Sequence, residues 1–130
     1  MFKISTKYHF DSAHFLPGYK GKCANLHGHT WTIRVTIAGD KLNLTGILVD
    51  FKEVKEKLKQ QCEYLDHKVL NNVLPATIKP TAEGIAEWLF YDFNDFLFHH
   101  YHKVAWIDNI RVYESPESYA EYSDGIQRRK

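Results

Sequence analysis

Three histidines carry the strongest chemical signal in this sequence. His27 and His29 flank a single glycine in the run His27-Gly28-His29, and His14 lies upstream of them. In an extended strand, side chains at i and i+2 fall on the same side, so both imidazoles can reach a common ion. Gly28 leaves room between them. His14, near the end of a preceding strand, supplies a third donor if the two strands pair as antiparallel neighbours. Three neutral imidazoles with one open position form the pattern of a catalytic zinc site, in which a substrate oxygen takes the free place. Taken alone, a His-x-His dipeptide in a strand is more often incidental than a ligand pair, and His14 could equally pack in a core.

Other residues can do chemistry only in company. Cys23 admits three readings: an inert thiol, a fourth and structural zinc ligand, or a thiolate made reactive by nearby positive charge. Asp66-His67 is either a helix end with a favourable cation or a carboxylate that orients an imidazole for proton transfer. Glu114 is either a solvated strand residue or an anchoring carboxylate, and Thr81 either an N-cap or a substrate contact. His99, His100 and His102 read as the polar end of a helix rather than a second metal site. His9 is separated from His14 by an odd number of positions and should face away from it. Lys20 and Lys22 are candidate phosphate contacts.

These residues need elements to position them. Partial alternation over residues 2–16 predicts a long strand, and cleaner alternation over 29–38 predicts a second. In the latter, Trp31, Ile33, Val35 and Ile37 form one face, with His29, Thr32, Arg34 and Thr36 offset from it. Asp50 and Glu53 make a capping box that opens a helix, with Phe51, Val54, Leu58, Cys62 and Leu65 on its buried stripe and its end near Asp66. Pro80 and Thr81 open a second helix whose apolar side is Ile85, Leu89, Phe93, Phe96 and Leu97. Residues 106–115 and 118–122 read as a closing antiparallel pair. The order β-β-α-α-β-β predicts an α+β domain, a four-stranded antiparallel sheet with two helices on one face. Its exposed edges predict a homo-oligomer, because small proteins commonly pair or bury such edges. The last seven residues read as a loose polar tail.

Composition limits the functions available. A chain of 130 residues with 44% hydrophobic and 25% charged residues is one packed domain. Its formal charge of +1 provides no global field for nucleic acid or an anionic membrane. The polar N-terminus resembles neither a secretory leader nor a span, which predicts a cytoplasmic protein in which Cys23 and Cys62 stay reduced.

Five segments, in order, carry a resemblance: Phe10-Asp-Ser-Ala-His14, Cys23-Ala-Asn-Leu-His27-Gly-His29, Leu65-Asp66-His67, Pro80-Thr81-Ala82-Glu83 and Val112-Tyr113-Glu114. Together they resemble the 6-pyruvoyltetrahydropterin and 6-carboxytetrahydropterin synthase family nearly end to end. That resemblance implies the tunnelling fold, with trimers that close a barrel, pair into hexamers and place their sites at subunit interfaces. It implies one Zn2+ per subunit on His14, His27 and His29, a catalytic thiol at Cys23 and a proton-transfer dyad at Asp66 and His67. It further implies that Glu114 anchors the pterin ring and that Thr81 contacts it. The spacing from Cys23 to His27 resembles the bacterial 6-carboxytetrahydropterin synthases of deazapurine pathways such as queuosine. The expected substrate is 7,8-dihydroneopterin triphosphate, with 6-pyruvoyl chemistry and a non-catalytic metal- or pterin-binding module as alternatives. Gly84 departs from the family's frequent Asn; a glycine in a first helical turn costs helix stability, and it is expected to loosen the loop beneath the pterin.

Overall fold

A computed structural model describes residues 1–102 and 104–126. Four strands, β1 (Phe2–His14), β2 (His27–Gly39), β3 (Ala105–Ser115) and β4 (Ser118–Tyr122), form one antiparallel sheet in the order β1-β2-β3-β4. Between β2 and β3 the chain makes helices α1 (Phe51–Leu65), α2 (Leu70–Val73) and α3 (Ala82–Tyr101). The expected α+β fold is therefore present, with α2 as an extra turn that its short sequence did not announce. Residues 127–130, most of the expected polar tail, lie outside the described residues.

The alternation of β2 explains how the layers form. Trp31, Ile33, Val35 and Ile37 are fully buried on the helix-facing side, while Thr32, Arg34 and Thr36 occupy the open side. On β1 the even-numbered residues Phe10, Ser12 and His14 are buried on that same side. Phe10 pairs with Trp31 across the two strands, and their rings stack with centroids 6.2 Å apart, a contact worth about 0.5–1.5 kcal/mol beyond burial.

α1 begins where Asp50 accepts a hydrogen bond from the Lys52 backbone at 2.9 Å. Val54, Leu58, Cys62 and Leu65 are buried, but Phe51 is half exposed and does not join the stripe. As the first helical residue it sits where the chain is still entering from solvent, so helical spacing alone overstates its burial. α3 is held at its start by Thr81, whose hydroxyl accepts from Gly84 N at 3.0 Å. Ile85, Leu89, Phe93 and Leu97 are buried as expected, and Phe96 packs at the margin of the core.

After α1 the chain returns to the free edge of β1. His67 N donates to Asp11 O at 2.6 Å and Ala13 N donates to Lys68 O at 3.0 Å, with a parallel bridge between Ala13 and Val69. The Ser12 hydroxyl meets Leu65 O and receives Lys68 N at 3.3 Å. Asn71 extends the pattern with its side chain, accepting from Phe15 N at 3.0 Å and donating to Phe15 O at 2.9 Å. β1 itself ends at His14, opposite His27 where β2 begins, short of the expected residue 16.

Candidate metal centre and adjoining dyad

Strand register brings the three histidines together. His14 is the direct partner of His27, and Ser12 is the partner of His29. All three imidazoles extend the buried row that contains Trp31, so His29 belongs to that row and is not offset from it as the sequence reading had it. Ring centroids lie 4.6 Å apart for His14 and His27, 5.1 Å for His14 and His29, and 4.8 Å for His27 and His29. Trp31 closes the inner side, edge-on to His14 and His29 at 4.9 and 5.2 Å.

Hydrogen bonds select the tautomers. Nδ1 of His14 lies 2.6 Å from Pro80 O, and Nδ1 of His27 lies 2.7 Å from Asn25 O. A carbonyl can only accept, so each Nδ1 carries the proton and each Nε2 is left with a lone pair. The Nε2 atoms of His14, His27 and His29 are buried and have no hydrogen-bond partner. Three buried ring nitrogens without hydrogen-bond partners would be costly in a purely structural cluster. A divalent cation satisfies them all, so the residues present fit a metal ion.

Glu114 completes the group. Its carboxylate and the three rings offer ligand atoms that all lie within 4.8 Å of one another. It lies two residues beyond Val112, which is buried opposite Ile33, so strand alternation sets Glu114 on the same face as the histidine row. Glu114 Oε1 approaches His29 Nε2 to 3.1 Å without hydrogen-bond geometry, which explains how that nitrogen is close to a carboxylate yet unpartnered. Burial pushes the His29 pKa down, Glu114 opposes this, and the other two histidines add to it. The net lowering favours the neutral ring, the form a metal requires.

The dyad forms a separate cluster at the edge of β1. Asp66 is the C-cap of α1, and its Oδ1 accepts from Asp11 N at 2.8 Å while Oδ2 holds His67 Nδ1 at 2.7 Å. His67 takes a left-handed backbone, φ 55, which is unfavourable for a residue with a Cβ and is held by the bond from its N–H to Asp11 O. The backbone bond from Asp11 and the bond to His67 pull the Asp66 pKa down, and Asp66 raises that of His67. Asp11 carries a further contact that sequence reasoning missed: Thr30 Oγ1 donates to its Oδ1 at 2.6 Å, tying the dyad to the strand that bears His29. An open cleft of about 630 Å³ runs along this edge, lined by residues that include Asp11, Gly28, His29, Thr30 and His67.

The remaining expectations divide. Cys23 is half buried in the 3-10 turn Lys22–Ala24 and is not among the mutually close ligand atoms, so in one chain it is no fourth ligand. Cys62 is the inert thiol, its pKa pushed up to about 12 by burial. Thr81 acts as the N-cap of α3. Gly84 reverses the expected loosening. A Cβ there would meet Lys79 O at 2.1 Å, so the glycine permits a tight approach that helps set Pro80 O against His14. His99, His100 and His102 are exposed at the end of α3, with His100 Nδ1 2.9 Å from Phe96 O, and they form no metal group among the described residues. His9 is exposed and faces away from His14.

A family model described as 6-pyruvoyl tetrahydropterin synthase matches residues 3–125. The chain belongs to the 6-pyruvoyl tetrahydropterin synthase family. Among relatives in this family, the Haemophilus influenzae 6-carboxy-5,6,7,8-tetrahydropterin synthase is 32% identical over 95% of this chain and 100% of its own length. The Synechocystis protein of the same name is 35% identical over 94% of this chain and 93% of its own. Caenorhabditis elegans 6-pyruvoyl tetrahydropterin synthase superposes with a TM-score of 0.81, covering 95% of this chain and 96% of that one, at 20% identity. That structural likeness shows the family's fold.

Proposed function

We propose that this protein is a zinc-dependent 6-carboxytetrahydropterin synthase, converting 7,8-dihydroneopterin triphosphate and water to 6-carboxy-5,6,7,8-tetrahydropterin, acetaldehyde and triphosphate. The observation that carries the proposal is the set of three buried, unpartnered Nε2 atoms on His14, His27 and His29. The 6-carboxy product, rather than the 6-pyruvoyl one, is favoured by relatives of that name at 31–35% identity. A zinc ion held by the three imidazoles would polarise a substrate oxygen and acidify the adjacent C–H bonds.

The protein's own residues then move protons and orient the ring. Glu114 offers a carboxylate to the N–H groups of the pterin. Cys23 as thiolate takes a proton from the substrate side chain, and His67, oriented by Asp66, exchanges the other. The dyad and the three histidines are separate clusters within one chain, which suits a site shared between subunits. We assign the dyad to the zinc site of a neighbouring copy in a homo-hexamer built as a dimer of trimers. Thr81 acts through helix capping, with any pterin contact secondary to it. A cytoplasmic place in a deazapurine pathway such as queuosine biosynthesis accords with this chemistry.

Mass identification of all products from zinc-loaded protein and dihydroneopterin triphosphate tests the proposal. Acetaldehyde together with the 6-carboxy product supports it. Triphosphate release with the three-carbon side chain retained would establish 6-pyruvoyl chemistry instead, and binding without turnover would leave a pterin-binding module. Cys23→Ala should keep stoichiometric zinc while losing at least about a hundredfold in kcat, the usual lower range for a positioned proton-transfer group. Loss of zinc from that variant would make the thiol a ligand.

A further inference from the structure

The open face of the sheet carries a row of like charges. Lys7 on β1 is the direct cross-strand partner of Arg34 on β2, and Arg34 is the direct partner of Arg111 on β3. Like charges placed directly opposite each other destabilise a sheet. Arg111 is neutralised, since its Nε lies 2.7 Å from Glu121 Oε1 and its guanidinium stacks 4.5 Å over the Tyr119 ring. Arg34 contacts only a neutral hydroxyl, Ser5 Oγ at 3.2 Å, and neither it nor Lys7 forms an ion pair among the described residues.

The same two cations flank a cleft of about 380 Å³ that Thr30, Thr32, Tyr113 and Pro116 also line. No carboxylate lines it. It offers two fixed positive charges and hydroxyls, and Arg34 can present a planar fork of N–H donors. An oxyanion with several acceptor oxygens would relieve the Lys7–Arg34 repulsion and use those donors together.

We infer that Lys7 and Arg34, with the neighbouring threonine hydroxyls, form a binding site for a phosphate-type oxyanion on the open face of the sheet. The site adjoins the dyad, because Thr30 lines both this cleft and the one containing His67. Arg34 lies four residues along β2 from Thr30, about 14 Å, which the length of its side chain and a chain of phosphates can span. The occupant is therefore either the phosphate tail of the substrate or the free oxyanion. Assigning the tail rests on the proposed function, and the site itself does not.

The test is calorimetric titration of the zinc-loaded protein with inorganic triphosphate, compared with Lys7→Met and Arg34→Gln. Each substitution should weaken binding at least tenfold and neither should lower the melting temperature, since each removes a repulsion. Unchanged triphosphate affinity in both variants would overturn the site, including the case in which triphosphate binds only at the metal. Steady-state kinetics then separate the sources. A raised KM for dihydroneopterin triphosphate with kcat little changed assigns the substrate tail, whereas an unchanged KM beside weakened triphosphate binding assigns the free oxyanion. Weakened triphosphate binding in a protein without turnover would sustain the site while refuting the proposed reaction.

Discussion

His67 is held by contacts that lead back to one residue of β1. Asp11 supplies its carbonyl to His67 N and its N–H to Asp66 Oδ1, and its carboxylate further favours the protonated ring. Asp11→Asn keeps both backbone bonds and removes the charge. The NMR-monitored titration midpoint of His67 should therefore fall, with the fold intact; an unmoved midpoint would show that Asp66 alone sets it. The sign of the pH dependence follows from the two shifts. The His67 pKa is raised, so its contribution is full below about pH 6.5 and is lost as pH rises through the elevated value. The Asp66 pKa is lowered, so its contribution is full above about pH 3.9 and is lost as pH falls through the depressed value. Between those limits the pair stabilises most, so Asp66→Asn should lower the melting temperature most inside that window, with the difference from the unsubstituted protein shrinking as pH rises above it or falls below it. The dipeptide Asp66-His67 was legible in the sequence because the two residues are adjacent. Asp11 and Thr30 were not, because their roles depend on β1–β2 register and on which edge the chain returns to after α1.

At the scale of elements, the signals that held were local ones. Asp50 before Phe51 and Thr81 before Ala82 marked helix starts, since an N-cap acts within three residues of itself. Strand alternation placed Trp31, Ile33, Val35 and Ile37 on the core face. What failed or stayed hidden needed three dimensions: the exposure of Phe51, the β2–β3 register that sets Glu114 beside the histidines, and the reason for Gly84. That glycine stands where a helix start must approach Lys79 O closely enough for Pro80 O to receive the His14 ring. Gly84→Ala should thus act twice. Forcing the backbone apart is expected to cost about 1–3 kcal/mol, the range for overpacked sites, outweighing alanine's better helix propensity of about 1 kcal/mol. Loosening His14 should also weaken zinc binding by about 10–100-fold, as loss of an outer-shell partner does. Thermal melting and competition with a zinc chelator measure the two effects. A variant that melts higher and holds zinc as tightly would show that the close approach has no bearing on the metal site.

At the scale of the whole molecule, the sheet has two edges, and among the described residues only part of the β1 edge is paired with further backbone. Asp11 and Ala13 direct their backbone groups outward and pair with residues 67–68, so the alternate residues Lys3, Ser5, Lys7 and His9 point theirs to the same side. β4 is the opposite edge. Antiparallel strands need every second N–H for their inner neighbour, so a substitution at an outward position can remove an edge donor without breaking the β1–β2 ladder. Ser5→Pro does this, because proline lacks the N–H and is tolerated on edge strands. If copies assemble through these edges, the variant should sediment as a smaller species while its circular dichroism stays that of a folded α+β protein. Because the dyad of one copy is assigned to the zinc of another, kcat should fall with the loss of assembly while zinc stoichiometry is kept. A monomeric variant with full turnover would place the metal, thiol and dyad in one chain after all, and an undiminished assembly would mean that copies join through another surface.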